Sequence, residues 1–275
     1  MVSSSSSSRL ARRRPIAAPQ NRISPSLFAP SVVVPEPLAE ARIVYKVADN
    51  QHERAGAFRL VYENYVESGL MRPNRFQMRV MPHHLLPTTA TFVALHAGRV
   101  ISTLSLVGDG RLGLPLDRVY GPEVEALREP STWLGEVSAL ASSSADSRLG
   151  FEAVLGLMRM MAQFSRRHGL DHLLVAVHPR HARLYRRAMG FRPLGEERAY
   201  PAVCNRPAVA LHLDLTRLEQ APAENVALFF GEPIAEEHLR FCPISAAERR
   251  YFAPVVAYEA DQAAAEPREE LLACA

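Results

Sequence analysis

From residue 41 onward the apolar positions switch between a two-residue and a 3.6-residue period, and the switches mark out the elements. The run ARIVYKVA (41–48) alternates apolar with polar and predicts a first strand. A helix is expected over about His52–Ser68, with Ala55, Phe58, Val61, Tyr62, Tyr65 and Val66 at helical spacing and Gly69 as its stop. The proline-broken stretch MRPNRFQMRVMPHHLLP reads as a loop, long enough to be mobile or to cover a substrate. TATFVALHAGRVISTLSLVGD predicts a hairpin, with strands Thr91–His96 and Val100–Val107 around a turn at Ala97-Gly98. A short helix follows in GLPLDRVYGPEVEALR, with Asp117 placed to cap it.

The second half repeats strand and helix in alternation. WLGEVSALA is a strand, and SSSADSRLGFEAVLGLMRMMAQFSRRHG is a polar loop opening into an amphipathic helix that ends at Gly169. DHLLVAVHP predicts a strand, HARLYRRAMG a helix, FRPLGEERAY a strand, and PAVALHLDL a last strand after a turn at Cys204–Pro207. This order argues an α/β fold whose early hairpin makes the sheet mixed, mostly antiparallel, with helices on both faces. Residues 1–40 are rich in Ser, Pro and Arg and read as a disordered tail. Residues 41–216 form the folded domain. Residues 217–275 are an acidic extension, partly helical or disordered, with eleven acids against five arginines.

Composition narrows the function classes. The net charge is +3, but residues 1–35 hold five arginines and no acid, so the remainder is slightly acidic. The basic tail has no interleaved aromatics, which argues against a nucleic-acid module. Three widely spaced cysteines, Cys204, Cys242 and Cys274, fit no metal-ligand spacing and point to a reducing, cytoplasmic setting. No apolar run reaches the ~18–20 residues of a membrane span. The N-terminal Ser/Arg stretch lacks the apolar core of a secretory signal, and a plain basic tail is favoured over an organelle transit peptide.

Several positions could carry chemistry. The loop after GEVSALA leads into a helix N-terminus, which can hold a phosphate; Arg148 would bring charge and Gly150 close backbone approach. In the helix after Pro179, the pairs Leu184/Ala188 and Tyr185/Met189 are expected to face inward, while Arg180, Arg183 and Arg187 form one outward stripe. Tyr185 then sits at the edge of the buried face, where its hydroxyl could reach a cleft, but from the helix alone a buried core ring is the favoured reading and a solvated face is favoured for the arginines. Glu136 lies inside a central strand, and alternation places Glu136, Ser138 and Leu140 on one face. An unpaired buried carboxylate is expensive, so an acid there points to function. His178 follows a strand end and is the second choice of base. His178 and His181 straddle a helix start and are expected to point apart, His83-His84 reads as loop polarity, and no metal site is expected.

HARLYRRAMGF resembles, with Leu184-Tyr185 one residue nearer Ala182 and one further from Gly190, the A-x-x-L-Y-x-x-x-G-F signature of the GNAT-like acyltransferase fold, and EVSALA…SRLGFEAVLGLMRMMAQF stands where that fold has its phosphate loop. Together with LLPTTATFVAL, SLVGDGRLGLPLDRVYGPEVEALR and GEERAYPAVCNRPAVALHLDL, these blocks resemble long-chain N-acyl amino acid synthases of the FeeM type, relatives of the acyl-homoserine lactone synthases, over about residues 42–216. The resemblance implies transfer of a fatty acyl group from a thioester, on acyl carrier protein or coenzyme A, to the amine of an amino acid. No cofactor is then held tightly, because the acyl-phosphopantetheine is a substrate. It implies Glu136 as base or amine-orienting group and Tyr185 as acid to the departing thiolate. Backbone N–H groups of Ser138, Ala139 and Leu140 would hold the pantetheine, and Arg148, Gly150 and Phe151 the phosphate turn.

Two departures stand out. Phe151 replaces the first glycine of the phosphate loop, which weakens coenzyme A pyrophosphate binding, and Ala139 replaces the arginine that lactone synthases carry, which argues against homoserine-lactone chemistry. Arg180, Arg183 and Arg187 are expected to dock the acidic carrier protein. The rival readings are a coenzyme A-dependent N-acetyltransferase of a small amine and a non-catalytic acyl- or carrier-binding protein of the same fold.

Overall fold

In the computed structural model, residues 42–265 are described, except 144 and 221; the tail expected over residues 1–40 and the last ten residues lie outside that range. The elements run β1 (Val44–Val47), α1 (Gln51–Glu67), β2 (Thr89–His96), β3 (Arg99–Gly108), α2 (Asp117–Glu125), β4 (Leu134–Ser142), α3 (Ser147–Arg167), β5 (His172–Val177), α4 (Pro179–Ala188), β6 (Arg192–Pro193), β7 (Arg198–Tyr200), β8 (Arg206–Asp214), α5 (Ala223–Phe230) and α6 (Ala246–Ala265). One open sheet holds them in the order β1-β2-β3-β4-β5-β8-β6, with β7 also on β8. Every pairing is antiparallel except β4–β5. This is the expected mixed sheet. Among the described residues no helix is long and apolar enough to cross a membrane.

Helices cover both faces. On one, α3 packs Leu157, Met160, Met161 and Phe164 against Phe92, Leu104, Leu106 and Leu173, joined by Tyr185 of α4, Met189 just after it and Phe229 of α5. On the other, Tyr120 and Val124 of α2 pack on Val107, Leu134, Leu174 and Ala210. There α1 also meets α6, with Phe58 edge-on to Phe252 at 5.0 Å. The ion pair between Arg54 of α1 and Glu248 of α6 is nearly closed to water, and Arg54 also donates to the Cys242 carbonyl at 2.7 Å.

The structure differs from the sequence reading at several points. FRPLGEERAY is two short strands, because the chain bends at Gly195 around the Tyr120 ring, leaving no room for a Cβ there. The stretch 71–87 is pinned rather than loose: Met78 and Val80 are buried, and Arg79 N–H donates to the Phe58 carbonyl at 3.1 Å. His84 is core, not loop polarity; it stacks on Phe58 at 4.8 Å, and burial holds its imidazole neutral down to about 3. Asp117 does not cap α2 but closes the turn before it, accepting from Leu114 N–H at 2.8 Å.

Candidate active site

The site exists because β4 and β5 part company. Their parallel ladder runs only from Leu134↔His172 to Val137↔Val175, after which Ala176 and Val177 pair with β8 alone. On its other edge β4 carries a bulge, where one extra residue stands against β3 between Ser138 and Ala141. Ala139 takes the left-handed conformation there, φ 52°. The bulge breaks strict alternation, which corrects the expectation that Glu136, Ser138 and Leu140 share a face. Ala139 and Ala141 pack with Leu60 and Val61 of α1, whereas Leu140 joins the cluster on the α3 face.

The gap between the strands opens into a cleft of about 680 Å³. Glu136 lines it with only 2% of its surface exposed, and its Oε2 accepts from Leu116 N–H at 2.7 Å. Burial, aided by the nearby charge of Asp117, raises its carboxyl to about 8. Tyr185, 5% exposed, enters from the opposite face of the sheet, edge-on to Phe191 at 5.6 Å. Burial and then the neighbouring Tyr65 push its phenol up to about 12, so it keeps its proton at neutral pH. Glu136 and Tyr185 lie on opposite sides of the sheet elsewhere in their elements; the splay is where both reach one space.

Most of the expected residues are brought together. Ser138, Ala139, Leu140, Gly150, Phe151 and His178 line the cleft. Phe151 is 61% exposed at its mouth. His178 caps α4, its Nδ1 accepting from Arg180 N–H at 3.3 Å, so one of its nitrogens is engaged in structure. His181 lines the cleft as well, its ring 6.4 Å from that of His178, against the expectation that they point apart. Leu184 is 51% exposed and lines the cleft mouth rather than facing inward with Tyr185 and Met189.

Two expectations separate. The arginine stripe is divided: Arg180 lines the cleft and donates to His181 Nε2 at 2.9 Å, while Arg183 and Arg187 line a different groove with Arg186, Arg192 and Arg217. The helix N-terminus at α3 is already occupied. Oδ1 of Asp146 accepts from both Arg148 N–H and Leu149 N–H at 3.0 Å, and Gly150 N–H goes to the Asp146 carbonyl at 2.8 Å. Arg148 is exposed and outside the cleft lining. Gly150 is needed for packing, since a Cβ would lie 2.9 Å from Ser142 Oγ and 3.0 Å from the Ser143 carbonyl. The sequence signal for this cap was present, an Asp directly before a helical run.

Sequence reasoning missed Tyr65, Tyr200 and Arg206, all in the cleft lining. Tyr65 reads from its spacing as an ordinary apolar-face residue of α1. Burial and then the Glu136 charge raise the Tyr200 phenol, and Tyr65 feels the same charge, so the three groups form one electrostatic cluster.

The model of the family described as N-acyl amino acid synthase FeeM matches residues 56–214, which span this sheet and cleft. The chain belongs to that family. A FeeM-family chain is an acyltransferase, and the solved structure of FeeM, an N-acyl amino acid synthase from uncultured soil microbes, is 27% identical. It covers 66% of this chain and 96% of that one with a TM-score of 0.59. Two acyl-homoserine lactone synthases share the fold. LasI is 17% identical over 71% of this chain and 98% of its own, TM-score 0.54. The coenzyme A-dependent BjaI, solved with SAM and isopentyl-CoA, is 22% identical over 76% and 98%, TM-score 0.51. No curated protein matches the chain. The cleft of this chain offers a buried carboxylate, a protonated phenol and a stretch of central strand without a β5 partner.

Proposed function

We propose that the protein transfers a long-chain acyl group from the phosphopantetheine thioester of an acyl carrier protein to the amino group of an amino acid. The observation that carries this reading is the meeting of Glu136 and Tyr185 at the splay of β4 and β5. The carboxylate of Glu136, half ionised near pH 8, takes a proton from the amine. The amine nitrogen attacks the thioester carbonyl carbon, the oxyanion collapses, the C–S bond breaks and the electron pair leaves on sulfur. A thiol titrates near ~8.5, below the phenol of Tyr185, so Tyr185 hydrogen-bonds the leaving sulfur and need not surrender its proton outright. Backbone groups of Ser138–Leu140, freed of a β5 partner, are the candidates to pair with the pantetheine.

Asp146 favours the carrier protein over free coenzyme A. Its carboxylate fills the α3 N–H groups that a pyrophosphate would take and adds a negative charge there. The groove of Arg183, Arg186, Arg187, Arg192 and Arg217 suits an acidic carrier surface by electrostatic steering. We place the reaction in the cytoplasm on the cysteine usage. We take residues 41–216 as the transferase domain and residues 217–275 as an extension to it, of which α5 packs on α3 and α6 on α1. The test is incubation with acyl carrier protein thioesters or acyl-CoA and each amino acid, with mass spectrometry of products. Amide formed from the carrier thioester is expected, and no amide from any pairing would end the synthase reading.

A further inference from the structure

We propose that Arg206 is the residue that binds the carboxylate of the acceptor amino acid and so selects amino acids over plain amines. The proposal rests on the acyltransferase reading of the cleft given above. It begins from the charges that line the cleft: one carboxylate, Glu136, and two guanidinium groups, Arg180 and Arg206. An amino acid arrives with one positive and one negative group, and Glu136 answers only the first.

The two arginines are not equivalent. Arg180 belongs to the wall built by α4, next to Tyr185, and its Nε is engaged with His181. Arg206 belongs to the opposite wall, at the start of β8. Its Nη2 lies against Gly69, 3.4 Å from where a Cβ would sit, so the guanidinium spans from β8 to the turn that ends α1. Gly69 is left-handed, φ +65°, and its missing side chain leaves that space open. Among the described residues Arg206 has no ion pair or side-chain hydrogen bond. The other cation of that region, Arg79, is committed: its Nη2 donates to the Ala202 carbonyl at 2.7 Å and its guanidinium sits over the Tyr65 ring at 4.9 Å.

Arg206 is tied to the base through one intermediate residue. It stands directly across the β7–β8 ladder from Tyr200, one of the two phenols that feel the charge of Glu136. Base and cation are thus joined through one tyrosine, by its charge coupling to Glu136 and by its strand pairing with Arg206. A planar guanidinium with two parallel N–H donors matches a carboxylate, and leaving it exposed and unpaired makes sense where its partner is a substrate.

The experiment uses the full-length enzyme, the carrier thioester it accepts, and the best amino acid found in the product screen, beside the decarboxylated amine of that amino acid. In Arg206→Ala the KM for the amino acid should rise roughly 10- to 100-fold, the loss expected for a charge-assisted contact, with kcat changed by less than about threefold. The KM for the thioester should stay put, and turnover of the decarboxylated amine should be the same in both enzymes. Arg206→Lys should recover part of the loss, since it keeps the charge without the fork. An unchanged amino-acid KM, or a rise confined to the thioester KM, overturns the proposal. Absence of amide from the wild type would instead overturn the synthase reading, and the thermal midpoint of Arg206→Ala, expected unchanged for an unpartnered exposed side chain, separates a binding loss from misfolding.

Discussion

Leu116 and Glu136 are twenty residues apart in the chain, yet the Leu116 N–H donates to Glu136 Oε2 at 2.7 Å, both residues being buried at the wall of the cleft. That single contact aims the carboxyl group, while burial sets its proton affinity near 8.

A base of that strength must lose its proton before it can act. The kcat/KM for the amino acid should therefore rise with pH through an inflection near 8 and level above it. Glu136→Gln keeps an acceptor for the Leu116 N–H, so it should fold normally, lose roughly 10²–10⁴-fold in kcat/KM and lack the inflection. A pH–rate series on both proteins checks this.

The same group bears on stability. Its folded value of about 8 lies above the ordinary 4.5, so the native state holds the proton more tightly than the unfolded chain between those limits. The stabilising contribution is whole below about 4.5 and is lost as pH rises through 8, at ~1.4 kcal/mol per pH unit inside the window. Thermal denaturation at pH 5 and pH 9 should show Glu136→Gln gaining on the wild type at the higher pH.

Tyr185→Phe removes a hydroxyl but keeps the ring that packs on Phe191 at 5.6 Å. If the hydroxyl serves the departing sulfur as proposed, kcat should fall roughly 10- to 100-fold with little change in the amino-acid KM or the thermal midpoint. Because the phenol is raised to about 12, no limb of the pH profile below pH 10 should belong to it.

Ala139 holds a left-handed backbone, φ 52°, at the bulge that opens the cleft. Ala139→Gly should keep the bulge and stay within about 1 kcal/mol of the wild type, whereas Ala139→Val should lose about 2 kcal/mol or more and most of the activity. Urea denaturation with a parallel activity assay tests the pair.

Arg54 and Glu248 form a buried ion pair linking α1 to α6. Glu248→Ala should destabilise by roughly 3–5 kcal/mol, because it strands a charged guanidinium, and Arg54→Met/Glu248→Leu together should cost much less. The double variant's melting curve is the deciding measurement.

Much of the fold could be read from the chain because periodicity and stop signals are local. The 3.6-residue spacing of α1 and α3, the glycines at 69, 169 and 190, and the alternation of β2 and β3 need no partner to be recognised. Glu136 and Tyr185, which both line the cleft, stood out as well, one as an acid in a central strand, the other through a motif. Where pairing decides, local reasoning failed. Strict alternation put Leu140 beside Glu136, but the bulge against β3 turned it to the other face. Even spacing put Arg180, Arg183 and Arg187 in one patch, but the parting of β4 from β5 gave Arg180 to the cleft and the others to a separate groove.

The sequence by itself determined the elements and the class of sheet and singled out Glu136 and Tyr185, since each follows from residue type, near neighbours or a motif. Only the tertiary structure decided that those two groups share one space, that Asp146 occupies its own helix N-terminus, and that Arg206, opposite Tyr200, has no side-chain partner among the described residues. The physical reason is that burial, charge coupling and a missing partner are properties of contacts between distant segments, and no period along the chain records them.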